Sequence, residues 1–95
     1  MKYIVTVLDG EECIFLFPRE VNHDYFAEAM EAIRFGNFRD WTRGKFKQGN
    51  IISAGFVTNG VCHGRSESLN IDSRPKQDTE LLKQMLSGQK LPKVD

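Results

Sequence analysis

The side chains best suited to chemistry fall in one stretch, Ser53 to Ser68 (SAGFVTNGVCHGRSES), where Cys62 adjoins His63 among Ser53, Ser66 and Ser68. A cysteine nucleophile needs a base within hydrogen-bond reach. The same stretch holds Asn59-Gly60 between two runs, Ile51 to Thr58 and Val61 to Leu69, and this predicts a β-hairpin closed by a two-residue type I′ turn. In that hairpin Val57 faces Cys62 and Phe56 faces His63. Neighbouring residues on a strand point to opposite faces, so Cys62 and His63 cannot act as a dyad. One face then carries Val57, Cys62, Gly55, Gly64, Ser53 and Ser66, mostly small and suited to close approach by a helix. The other carries Phe56, His63, Arg65, Ile52 and Glu67. The expectation is a buried Cys62 and a solvent-side His63 stacked on Phe56.

Other catalytic arrangements have less to support them. Ser66, Ser68, Ser73, His23, His63 and Asp72 supply the residue types of a serine triad, but no G-x-S-x-G turn is present. His23 and His63 are far apart, and Cys13 and Cys62 lack zinc spacing, so no metal site is expected and the thiols are expected to be free. His23 is expected in the cap region of a helix. No glycine-rich phosphate loop occurs, so no cofactor is expected. The sequence names no catalytic residue, and the protein is expected not to be an enzyme.

A binding segment is easier to find. RFGNFRDWTRGKFK interleaves Arg34, Arg39, Arg43, Lys45 and Lys47 with Phe35, Phe38, Trp41 and Phe46. Cations neutralise phosphate while aromatic faces stack bases, and the same residues dominate protein hot spots. A third reading tucks the aromatics into the core and leaves the cations wet. Arg34, Arg39, Trp41, Arg43, Lys45, Phe46 and Lys47 are the candidate contact residues, for a protein partner first and for nucleic acid as the alternative.

The overall charge is zero but unevenly laid out. Residues 1–33 hold seven acids against Lys2 and Arg19, a net of −5, while residues 34–49 hold five cations against Asp40, a net of +4. Such blocks create local fields that attract partners. The acidic block also disfavours phosphate nearby. No apolar run approaches the ~20 residues of a membrane span, so a cytoplasmic protein is expected.

The elements that must position these groups follow from turn residues and periodicity. KYIVTVL and CIFLF, separated by DGEE, predict a first hairpin. Both of its faces are apolar: Tyr3, Val5, Val7, Ile14 and Leu16 on one, and Ile4, Thr6, Leu8, Cys13, Phe15 and Phe17 on the other. It therefore needs cover on both sides, by one helix and by either the C-terminal helix or a second copy of the chain, which makes a homodimer an expectation. Asn22 caps a helix with Phe26, Ala29, Met30 and Ile33 on its inner stripe and Gly36 at its end. Residues 37–50 predict a loop. A second helix begins at Ser73 or Asp78, tolerates Pro75 in its first turn, and runs through Leu81, Leu82, Met85 and Leu86 to Gly88. The order ββαββα predicts a single α+β domain over residues 1–88, with an antiparallel sheet of about four strands and two helices, followed by a flexible tail at 89–95.

The combination of MKYIVTVLDGEECIFLFPREVNHD, SAGFVTNGVCHGRSESL and DSRPKQDTELL resembles small accessory proteins encoded by tailed phages and prophages of enteric bacteria. That resemblance implies a protein made in the bacterial cytoplasm that binds a host or phage protein rather than catalysing a reaction. It carries no catalytic motif.

Overall fold

The computed structural model describes residues 1–32 and 46–88. In chain order these form β1 (Lys2–Leu8), β2 (Glu11–Phe17), α1 (His23–Ala32), a 3₁₀ turn (Gln48–Asn50), β3 (Ile51–Thr58), β4 (Val61–His63), β5 (Arg65–Ser66), β6 (Ile71–Asp72) and α2 (Pro75–Gly88). The domain is α+β as expected. Four antiparallel strands are ordered β2-β1-β3-β4, and β5 pairs with β6 in a separate two-stranded ribbon.

Both hairpins close through the same backbone device. Asp9 and Gly10 have φ of 54° and 81°, Asn59 and Gly60 have 51° and 79°. Positive φ at both central residues defines the type I′ turn, whose twist matches that of the strands it joins. The turns set the register: Leu8 pairs with Glu11 and Val5 with Ile14, while Thr58 pairs with Val61 and Phe56 with His63.

β1 and β3 join the two hairpins, and their ladder is interrupted by a bulge. Val5 pairs with Ser53 but Thr6 pairs with Ile51, leaving Ile52 as the extra residue. Strict alternation would place Ile51 on the same face as Ser53. The bulge turns Ile51 onto the α1 face, where it is buried, and leaves Ile52 38% exposed.

Each sheet face has its own core. On the α1 face Ile4, Leu8, Phe17, Ala54, Ile51 and Phe46 meet Ala27, Phe26 and Met30. On the α2 face Tyr3, Val5, Ile14 and Cys62 meet Leu82, with Leu16, Val57, Leu81 and Met85 around them. The C-terminal helix thus supplies the second cover that the first hairpin requires.

Two sequence expectations are corrected. The inner stripe of α1 is His23, Phe26, Ala27 and Met30, while Ala29 is exposed; His23 takes the place expected of an apolar residue. The strand expected over Val61 to Leu69 stops at His63, because Gly64 (φ 83°) turns the chain away and Arg65 then pairs with Asp72 instead of Ala54. The space above Gly55 consequently holds backbone and Ser73 rather than a helix: a Cβ there would lie 2.3 Å from the His63 carbonyl oxygen. Ile33, Gly36 and the tail at 89–95 lie outside the described residues.

Candidate interaction surface

The hairpin separates Cys62 from His63 as the alternation requires. Cys62 is fully buried under α2, and burial pushes its thiol pKa up, away from the reactive thiolate. Its N–H donates to Thr79 Oγ1 of α2 at 2.9 Å. His63 is exposed on the opposite face, its ring stacked on Phe56 with centroids 6.1 Å apart, and its Nε2 lies 2.9 Å from Thr58 Oγ1.

His23 is a core residue, not only a cap neighbour. It is 3% exposed, meets Phe17 and Phe56 edge-on at 5.3 and 5.7 Å, and its Nε2 is 3.0 Å from the carbonyl oxygen of Gly55. Burial lowers its pKa, and Lys2 adds to the shift, against the opposing effects of the Gly55 carbonyl and Asp24. A cavity of about 520 Å³ opens beside it, lined by Lys2, Asn22, Phe56, Arg65, Glu67 and Ser68. Its cations are already engaged: Lys2 Nζ donates to Val21 O at 3.0 Å, and Arg65 pairs with Glu67 and Asp72 at 3.1 and 2.8 Å.

The α2 face contains a polar network that sequence reading missed. Asp78 is fully buried. Its Oδ1 accepts from Ser53 Oγ at 3.0 Å and Arg74 Nε at 2.9 Å, and its Oδ2 accepts from Tyr3 OH at 2.5 Å and the Arg74 N–H at 2.8 Å. Arg74 continues outward to Glu12, with N–O distances of 3.0 and 3.3 Å. Burial and the bond to Asp78 raise the Tyr3 pKa, so the phenol remains a donor. The bond to the Arg74 amide caps the start of α2, where Pro75 has no N–H to satisfy. The network ties the first turn of α2 to β1, β2 and β3, with each polar group paired as burial demands.

Of the sequence-predicted contact residues, Arg34, Arg39, Trp41, Arg43 and Lys45 lie outside the described residues. Phe46 is corrected: it is 1% exposed, packed edge-to-face with Phe15 at 5.9 Å, and belongs to the core rather than to a contact surface. Lys47 is exposed. The aromatic at the end of the segment therefore follows the inward reading, packed against Phe15 and the α1-face core.

An apolar groove of about 350 Å³ runs beside β2, lined by Glu12, Cys13, Ile14 and Phe15 and walled by Leu81, Gln84 and Met85 of α2. Consecutive strand residues point to alternate faces, so a groove touched by four in a row lies along the outer edge of the strand. β2 is the outermost strand on that side, and among the described residues no other strand pairs with its outer edge. Cys13 is half-buried there, and burial raises its thiol pKa, with Glu11 adding to the effect. The opposite edge differs. β4 has only three residues, and Thr79 already satisfies the outward N–H of Cys62.

Among the described residues no cluster of three or more His, Cys, Asp or Glu is placed to hold a metal ion, and no helix is long and apolar enough to cross a membrane. No family model matches the chain, and neither a curated protein nor a solved structure matches it.

Proposed function

We propose that the protein is a non-enzymatic interaction protein that binds another polypeptide along the outer edge of β2, the bound segment adding a strand to the sheet. The groove beside that edge is the observation that carries this reading: the outer main-chain groups of β2, which no other described strand pairs, offer affinity, and the apolar wall of Leu81 and Met85 offers a place for a side chain. The non-enzymatic part is supported by the division of Cys62 and His63 between faces and by the raised pKa of the buried thiol. The setting, a small phage or prophage accessory protein acting in the bacterial cytoplasm on a host or phage protein, rests on the sequence resemblance.

The test is capture from the native host with the wild type and with a Leu81→Glu/Met85→Glu variant whose fold is verified by circular dichroism. Loss of a specific partner in the variant supports the proposal. A partner retained equally by both removes the β2 edge from the reading. Binding to DNA or RNA with a steep salt dependence would instead favour the nucleic-acid alternative built on Arg34, Arg39, Trp41, Arg43, Lys45 and Lys47.

A further inference from the structure

We infer that a second copy of this chain docks on the same edge: two β2 strands pair antiparallel about a two-fold axis at Ile14, joining two four-stranded sheets into one. The inference rests on reading β2 as a strand-adding edge.

The direction of the backbone groups comes from the turn. In a hairpin closed by two residues, the second pair beyond the turn aims its amide and carbonyl outward. On β4 that residue is Cys62, and its N–H reaches Thr79 Oγ1 outside the sheet. The same count on β2 gives Glu12, and the two-residue period adds Ile14 and Leu16. These three positions are symmetric about Ile14. Two copies paired there set Glu12 opposite Leu16 of the second copy and Ile14 opposite its own counterpart, forming about six backbone hydrogen bonds.

Charge and composition fit the same arrangement. Cys13 to Phe17 contains no lysine, proline or bulge, the usual guards of an open edge. The acids Glu11 and Glu12 stand at one end of β2; just beyond the other end stand Arg19 and then Glu20, and there Lys2 pairs with Phe17. Antiparallel pairing about Ile14 brings the acidic end of each copy toward the end of its mate beside which Arg19 stands. Parallel pairing would stack acids on acids. The match is self-complementary, as a two-fold interface must be. The β4 edge offers no equivalent, being short and covered by Thr79.

Light scattering and amide hydrogen exchange of the full chain test this together over about a hundredfold range of concentration, since dimerisation follows mass action. The expected result is a mass that rises to twice that of the monomer, with the Glu12, Ile14 and Leu16 amides gaining protection in parallel. Arg19 and Glu11 are both exposed, so Arg19→Glu should leave the fold intact and weaken the dimer by about threefold to tenfold, and adding Glu11→Lys should restore it. A strictly monomeric mass overturns the inference, as does a dimer whose Glu12, Ile14 and Leu16 amides still exchange rapidly. An unchanged dissociation constant for Arg19→Glu overturns the antiparallel register. If the chain is monomeric but a captured partner is lost in Leu81→Glu/Met85→Glu, the proposed function stands and only the second copy is removed.

Discussion

On the α1 face the sheet is closed by rings: Phe17 stacks flat on Phe26 at 4.1 Å, Phe15 meets Phe46 edge-on, and a buried imidazole fits between Phe17 and Phe56. On the α2 face apolar packing around Leu82 is joined by a buried carboxyl that holds β1, β3 and the helix start through Tyr3, Ser53 and Arg74. The contrast teaches where each face is tolerant. Ring packing is non-directional and loses stability in proportion to the volume removed. A buried polar network fixes one geometry, and removing one member leaves its partners unsatisfied.

The largest expected effect tests the first half of that contrast. Phe46→Ala should cost about 3–5 kcal/mol in urea unfolding, as for other large-to-small core changes; a loss below about 1 kcal/mol would mean that Phe46 is not part of the core. Asp78→Asn keeps the shape but mismatches its donors, and should cost about 2–4 kcal/mol, with Tyr3→Phe costing less. Asp78→Leu recovering full stability would show that apolar burial alone suffices on both faces.

A smaller effect separates the faces by pH. The folded pKa of His23 lies below its ordinary 6.5, so near and below that value the unfolded chain binds the proton more readily than the folded one. Stability contributed by neutral His23 is therefore fully present above about pH 7 and falls as pH drops through 6.5 toward the lower folded value. His23→Phe should flatten this slope in thermal melts run from neutral to mildly acidic pH; an unchanged slope assigns it to other groups. The smallest effect concerns Thr6, whose buried Oγ1 has no hydrogen-bond partner among the described residues. Thr6→Val should raise stability by about 0.5–1 kcal/mol, and a loss of that size would reveal a partner for the hydroxyl.

The second hairpin was legible because Asn59-Gly60 fixes register, and register fixes faces; Cys62, His63 and Phe56 stand where that logic puts them, while the first was legible from its two apolar runs, whose faces are the same for a two- or a four-residue loop. The interior role of His23 was not legible, because the helical stripe was traced through apolar letters and skipped the one polar residue at the right spacing. Ile51 changed face through a bulge, which leaves no mark in the alternation itself. Tyr3 and Asp78 meet across 75 positions, a distance no local pattern spans. The groove beside β2 escaped for a related reason. It belongs to a strand edge and a distant helix together, and only the shared apolar character of Cys13 to Phe17 hinted at it.

The joint between the two hairpins also bears on how the protein forms. Each hairpin closes over a few residues, but the β1–β3 ladder brings Met1 to Val57, 56 positions apart. Local pairs are fast and long closures slow, so docking of β1 on β3 is expected to set the folding rate. Closure entropy grows only logarithmically with length, and doubling the intervening chain would cost about 0.6 kcal/mol. Added length between Ala32 and Phe46 should thus cost little in closure entropy, while Phe46 itself is held in place by the core.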